Sequence, residues 1–378
     1  MVEHDEAAII DTGLPKGQEI VDRVVELRPW LRAQQAAAER ERRIPQESIE
    51  RLDAAGVFGL TAPKRFGGAD FTTRELHDIL RALASGCGAT AWMVWAAAGG
   101  NLWSFAFDED TVAPVYEAPW TGNRTFAVAG TSRRMAGTAR QVDGGWMIEG
   151  AWPFSTGSVH ASHGYLAVFY DETDDTKLGM VLVPKESLVA RDDWDAMGMA
   201  ATGSQTMATD GELFVPDEHF STPKRLTERI GELTARGEGP RRGGLARSLV
   251  TGAGVALGMA DHAMEVFLGA VGAVADAAVA GLDRLEAEGT DPSERDTLQL
   301  HTDVAYIWDA CSSAVETLFR ASGASAIAKR QPLQLIARNC RAGSLHAAHG
   351  IDTWTENIGR ALCGVEAQSS AGVLERSS

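Results

Sequence analysis

The chain has 378 residues, 44% of them hydrophobic, enough to bury a large core arranged as two or three domains or one large composite. Lys and Arg number 35 against 52 Asp and Glu, and the resulting net charge of −17 argues against a nucleic-acid surface, which needs concentrated positive charge. The four cysteines, Cys87, Cys311, Cys340 and Cys363, stand far apart with no CxxC pair, so neither a zinc knuckle nor a disulfide framework is expected and reduced cytosolic thiols are the default.

The opening MVEHDEAAIIDTG is acidic and lacks a basic stretch followed by an apolar run, so no secretory signal is expected. From about Gly17 to Phe107 apolar residues recur at intervals of three and four. This pattern predicts helices over VDRVVELRPWLRAQQAAAERERR, PQESIERLDAAGVFGL and TTRELHDILRALASG. Pro45 and Ser48 mark the start of the second of these and Gly56 its end. The next hundred residues change character: TFAVAGT, GWMIEGAW, GYLAVFYD, LGMVLVP and GELFVP are short and rich in β-branched or aromatic residues, with VDGG and DETDDTK as turns. They predict a small antiparallel β domain. A charged, Gly-rich connector at 221–244, expected to be mobile, leads into helices that continue to the C-terminus. The apolar stretch from Val250 to Gly281 is broken by Asp261, His262, Glu265 and Asp276, so no membrane span is expected and the protein reads as soluble and cytoplasmic. The order helices, strands, helices gives an α+β, mainly α, chain divided at 1–122, 123–222 and 223–378.

Several motifs have a chemical and a packing interpretation. GAGVALG (252–258) is spaced GxGxxxG and follows a connector rather than a strand, so close helix packing is expected instead of a dinucleotide site. The pair His346 and His349 in HAAH sits one helical turn apart, and a second HxxH holds His160 and His163. Spacing alone leaves metal ligation, base catalysis and an idle surface open. The lack of any carboxylate within either motif weighs against metal, and none is expected. Ser155 and Thr156 follow a predicted strand, where hydroxyl groups more often bond a turn backbone than face a ligand. Phe154 and Trp152 read first as packing residues. Asn101 and Trp103 lie where a helix of small residues becomes aromatic, which suits a neighbouring helix or a ligand equally.

Together these segments resemble the acyl-CoA dehydrogenase superfamily, and within it the flavin-dependent monooxygenases that receive reduced flavin from a separate reductase. The resemblance runs from about residue 20 to 364. It is carried by RRIPQESIERLDAAGVFGLTAPKRFGG, by VDGGWMIEGAWPFSTGSVHASH, which is similar to G-x-W-x-F-x-S-G-x-x-H-A, by GMAATGS with the closing FVP, and by RQPLQLIARNCRAGSLHAAHG. It implies an acyl-CoA dehydrogenase-like fold with an N-terminal helical domain, a central antiparallel β domain and a C-terminal four-helix bundle, in a homotetramer with the flavin ring between the β domain and the bundle.

The resemblance also implies roles. Setting Arg338 and Asn339 on the Arg-Asp of the dehydrogenases puts His346, Ala347 and Ala348 over their Tyr-Glu-Gly, so that catalytic glutamate is missing and His346 matches the monooxygenase base. Thr156 falls where the family bonds flavin N5, and Phe154 where an aromatic ring lies against the flavin. Ser155, Gly157, Thr202, Gly203 and Ser204 fall on the remaining flavin contacts, and Arg295 and Arg330 are phosphate candidates. On the substrate side stand Asn101 and Trp103, with Asn101 in place of the His of a family His-x-Trp, and His349 as an orienting residue. The implied reaction uses reduced FMN or FAD and O2, through a C4a-hydroperoxide, to hydroxylate or N-oxygenate an aromatic or natural-product substrate. The same fold also serves acyl-CoA dehydrogenases and desaturases, and flavin-free interaction partners.

Overall fold

The computed structural model describes residues 17–366 apart from 69–70, 118–123, 129–133, 172, 175, 242–243, 329–330 and 346–348. The chain falls into two compact units, residues 1–262 and 263–378.

The first unit opens with helices α1 (Gly17–Glu41), α2 (Gln46–Ala54), α3 (Thr73–Ala84), α4 (Gly88–Gly100) and α5 (Glu109–Glu117). The start of α3 is set by a capping box: the Thr72 hydroxyl accepts from Glu75 N at 3.1 Å while Thr72 N donates to the Glu75 carboxylate at 2.7 Å. Leu76, Ile79, Leu80 and Leu83 then form one buried stripe, which meets Ile20, Val24 and Leu31 of α1 in a shared core. This is the amphipathic pattern that the sequence shows.

Among the described residues ten strands follow: β1 (Thr125–Val128), β2 (Gly137–Val142), β3 (Gly145–Glu149), β4 (Ala151–Trp152), β5 (His163–Phe169), β6 (Leu178–Pro184), β7 (Val189–Ala190), β8 (Met207–Ala208), β9 (Leu213–Pro216) and β10 (Phe220–Ser221). The larger sheet runs β10-β6-β5-β2-β3-β9, with β1 also on β5. It is mixed rather than purely antiparallel. β1 pairs parallel with 163–166 of β5 and β2 pairs parallel with 168–169, so the two share one edge of that strand. The short hydrophobic runs identify strands but do not reveal direction, because a parallel pair is joined by a distant crossover rather than a hairpin. Along β5 alternate residues enter two different cores, Leu166 and Val168 on one face and Tyr165, Ala167 and Phe169 on the other. Burial on both faces explains why GYLAVF reads as a continuous apolar run. A second, three-stranded sheet has the order β4-β8-β7.

The expected mobile connector at 221–244 is in large part helix α6 (Pro223–Ala235). Thr222 caps it and Pro223 occupies the first turn. Arg229 pairs with Asp108 at 3.0 Å, which ties the charged segment to the body of the unit. The high charge reflects a solvated helix face, which composition alone does not distinguish from a linker.

Helix α7 (Gly244–Ala287) crosses from the first unit into the second. Its GAGVALG motif is a packing surface, as expected: a Cβ on Gly254 or Gly258 would collide with the carbonyl oxygens of His77 and Arg81 on α3. Arg81 also holds Asp261 by two hydrogen bonds, at 2.6 and 2.8 Å. By length and composition Val250–Ala287 would suffice to cross a membrane. The ion pair and the glycine contacts instead bind its first part to protein. The second unit adds α8 (Glu294–Ala321), α9 (Pro332–Ser344) and α10 (Ile351–Leu362), with a buried cluster of Leu298, Ala305, Trp354 and Ile358.

Candidate functional site

β4 and β8 pair antiparallel, Trp152 opposite Met207, so the loop leaving β4 and the loop entering β8 emerge from the same end of the small sheet. Two backbone bonds lock the loops together: Ser155 N donates to Gln205 O at 3.2 Å and Gly157 N to Thr202 O at 3.1 Å. Trp152 is the anchor below them, fully buried with its indole N–H on Ala167 O at 2.7 Å, which is the packing role the sequence suggests. Thus the segments Phe154–Gly157 and Thr202–Ser204, about fifty residues apart in sequence, are brought together, with Phe154 and Thr156 facing outward and the rest buried behind them.

Their hydroxyl groups make a chain. Thr156 Oγ1 lies 3.0 Å from Ser204 Oγ, Ser204 Oγ lies 2.7 Å from Thr202 Oγ1, and Thr202 Oγ1 donates to Met199 O at 2.8 Å. Each hydroxyl has one proton and a carbonyl has none. All three contacts are therefore satisfied in one order alone: Thr202 donates to Met199 O, Ser204 to Thr202, and Thr156 to Ser204. The proton of Thr156 points into the protein, to Ser204 at 3.0 Å with Phe154 O a longer and weaker acceptor at 3.5 Å, and its outward lone pairs are left to accept. Thr202 and Ser204 are buried, whereas Thr156 is half-buried at the surface. Ser155 turns inward and donates to Trp152 O at 2.8 Å, which is the turn-bonding role.

The backbone here is strained. Phe154 and Met199 both adopt left-handed φ near 60°, unfavourable for residues with a bulky side chain. Phe154 is nevertheless 58% exposed, its ring held edge-on by Trp194 at 5.9 Å. An aromatic side chain in an unfavourable conformation and facing solvent is poorly explained by stability and well explained by a ligand ring. Gly203 has φ 56°, and a Cβ there would approach Val159 Cγ2 to 2.8 Å. Its lack of a side chain is what allows the loops to close on each other.

The remaining sequence candidates lie elsewhere. Asn101 begins a 3-10 turn after α4, and its Oδ1 accepts from Tyr116 OH at 3.2 Å and Thr125 Oγ1 at 3.0 Å while its Nδ2 donates to Thr61 at 3.3 Å. Ser104 links the hydroxyls of Tyr116 and Tyr165, each at 2.7 Å. Burial pushes Tyr116 up to about 12 and Tyr165 higher than an ordinary tyrosine, so both keep their protons. Trp103 is half-buried against the same core. Arg124, which sequence reading missed, shares a small cavity of about 10 Å³ with Asn101 and Thr61, and its buried Nε has no hydrogen-bond partner. That volume holds one water or one ligand oxygen. No spacing rule could have joined Arg124 to Asn101, because the sheet brings them together.

In the second unit, His349 Nδ1 lies 2.7 Å from Gly343 O, so that nitrogen carries a proton, and its ring stacks on Trp308 at 4.8 Å. His346 and Arg330 lie outside the described residues, and Arg295 stands exposed in the first turn of α8. His160 and His163 have separate surroundings: His160 is buried, while His163 Nδ1 is 2.9 Å from Ser162 Oγ.

Helices, a mixed sheet with a strained, hydroxyl-lined loop pair, and further helices make an α+β architecture whose paired loops present an exposed aromatic ring beside a hydroxyl group. The family model for the acyl-CoA dehydrogenase N-terminal domain matches residues 19–109 and that for the C-terminal domain matches 252–350. The chain is 28% identical to a pigment production hydroxylase of Rhodococcus sp. over 90% of this chain and 95% of that one. It is 27% identical to the oxygenase subunit HsaA, a flavin-dependent monooxygenase of Rhodococcus jostii, over 87% of this chain and 94% of the relative. The structure of XiaF from Streptomyces sp. in complex with FADH2 and glycerol shares the fold, with TM-score 0.60, 24% identity and coverage of 93% and 97%. The chain belongs to the acyl-CoA dehydrogenase family, whose two domain models together match half of it, and the relatives it is similar to include a hydroxylase and the oxygenase subunit of a flavin-dependent monooxygenase.

Proposed function

We propose that this chain is the oxygenase component of a two-component system, taking reduced FMN or FAD from a separate reductase and using O2 to hydroxylate or N-oxygenate an aromatic or natural-product substrate. The observation that carries this reading is the paired-loop surface itself, with an exposed strained Phe154 beside a hydroxyl chain ending at Thr156. Those residues fit a flavin, which has a flat apolar face for Phe154 and a polar edge for Thr156. Bound reduced flavin supplies two electrons, so that one atom of O2 enters the substrate and the other leaves as water.

Thr156 holds the proton at flavin N5, while Gly157 and Gly203 let the backbone approach closely and Thr202, Ser204 and Ser155 set the shape of the loops. His346 is the base that takes the proton of a phenol, indole or amine as oxygen is transferred, a task suited to a group that titrates near neutral pH. His349 and Trp103 orient the substrate, and Asn101 and Arg124 offer N–H donors to one of its oxygens. The division at 1–122, 123–222 and 223–378, a cytoplasmic location and a homotetramer belong to the same reading. The last is supported by Val266, Leu268, Val279, Leu335, Ile336 and Leu345, large apolar side chains that one chain leaves exposed.

The test is rapid mixing of the protein and reduced FMN or FAD with O2, in the presence of aromatic substrates. Product formation that depends on supplied reduced flavin is expected. Tight binding of oxidised flavin with dye reduction by an acyl thioester would identify a dehydrogenase instead. Thr156→Ala is expected to release more hydrogen peroxide per O2 consumed, and an unchanged ratio would remove Thr156 from N5.

A further inference from the structure

We infer that the buried Thr202–Ser204 pair makes Thr156 a selector of flavin redox state, by fixing the direction of its hydrogen bond. This rests on the reading that places flavin N5 at Thr156.

The two redox states of the ring differ at N5 in the property that Thr156 senses. Reduced N5 bears an N–H and donates; oxidised N5 has a lone pair and accepts. With Thr202 donating to Met199 O at 2.8 Å and Ser204 donating to Thr202 at 2.7 Å, the Thr156 proton goes to Ser204 at 3.0 Å, the shorter of its two protein acceptors, the other being Phe154 O at 3.5 Å. Thr156 then offers lone pairs to the ligand, a match for the reduced ring and a mismatch for the oxidised one. A lone threonine could rotate its proton outward and accept either state. The alternative at this site breaks the 2.8 Å bond to Met199 O or leaves one hydroxyl contact unmade.

Thr202 is 1% exposed and Ser204 3%, so both act through Thr156 and are positioning residues rather than ligands. The order is also anchored by the strained turn: Met199, at φ 60°, presents its carbonyl to the Thr202 hydroxyl and also to Thr202 N at 3.0 Å. The strain is thus linked to a definite consequence, the presentation of a fixed acceptor at the start of the chain. Such selectivity suits an enzyme that must take reduced flavin from another protein and release the oxidised product.

The experiment is anaerobic titration with reduced FMN and aerobic titration with oxidised FMN, for wild type, Thr156→Ala, Thr202→Val, Thr202→Ser and Ser204→Ala, with circular dichroism confirming the fold. Wild type is expected to prefer the reduced form. Thr202→Val frees the Ser204 proton to satisfy Thr156, and Ser204→Ala frees the Thr156 proton directly. Each should lower the ratio of oxidised to reduced Kd by about 3- to 10-fold, the scale of one net hydrogen bond. Thr202→Ser keeps the hydroxyl and should keep the ratio. The potential of bound flavin must fall in parallel, by about 30 mV for a tenfold loss. If Thr156→Ala weakens binding while folded Thr202→Val retains the wild-type ratio, the relay is wrong and the placement of flavin survives. If neither substitution changes either affinity, flavin does not meet Thr156 and the inference falls with the reading beneath it.

Discussion

The paired loops of the first unit and the histidine segment of the second carry similar sequence signals, short polar motifs among small residues, but their structural support differs. The loops at 153–161 and 199–206 leave a strand pair whose register puts Trp152 opposite Met207, and backbone bonds across the gap bring Thr156 to Ser204. His349 is held by its own neighbourhood, through Gly343 six residues earlier and the stacked Trp308 of α8. The first unit has three buried clusters below its site, whereas the described part of the second has four residues in its cluster and many exposed apolar side chains. A sheet fixes distant residues against one another through register. A helix end fixes local contacts and leaves the rest to whatever packs on it.

The comparison can be broken most forcefully at the proposed base. His346→Ala is expected to lower hydroxylation by about 10²–10⁴-fold with flavin binding retained. Equal product yields from variant and wild type would move the chemistry wholly to the loop site. The next largest effect concerns the platform of the loops. Trp152→Ala, which empties a fully buried site, should cost about 3–5 kcal/mol in urea unfolding. A cost under about 1 kcal/mol would show that the sheet register does not depend on that anchor.

Acid should expose the same asymmetry. Burial, then Arg43 and Lys185, push His160 down to about 4, whereas the unfolded chain titrates near 6.5. Between these values the unfolded chain binds the extra proton, so stability is full above about 6.5 and falls as pH drops towards 4, by about 3 kcal/mol at most. Urea midpoints at several pH values should show a steeper acid loss for wild type than for His160→Gln. Parallel curves would mean that another group carries the acid sensitivity. The smallest effect is expected at Phe154, where Phe154→Gly removes left-handed strain and adds backbone entropy. These offset to within about 1 kcal/mol. Flavin affinity should fall all the same, and a large loss of stability with unchanged affinity would mark Phe154 as a packing residue.

Much of this was legible in the chain. The stripe from Leu76 to Leu83 showed a helix, GYLAVF a strand, and GAGVALG a packing face rather than a nucleotide loop. The loop residues were identified as a set through their order and their resemblance to a family. Strand direction was not legible, nor was the helix in the charged segment at 223–235, because periodicity reports burial on one element and says nothing about the neighbour.

Local pattern along the chain was enough for the order of helices and strands, because each element's periodicity reports its own burial, while the residues proposed to meet a flavin came from the resemblance to a family. Packing between distant segments sets the direction in which Thr156, Ser204 and Thr202 share protons, embeds Asn101 in a tyrosine and threonine network, and brings Arg124 to the cavity that Asn101 lines. Hydrogen-bond direction depends on which single proton each hydroxyl has already committed. That is settled by neighbours about fifty residues away, and no local pattern encodes it.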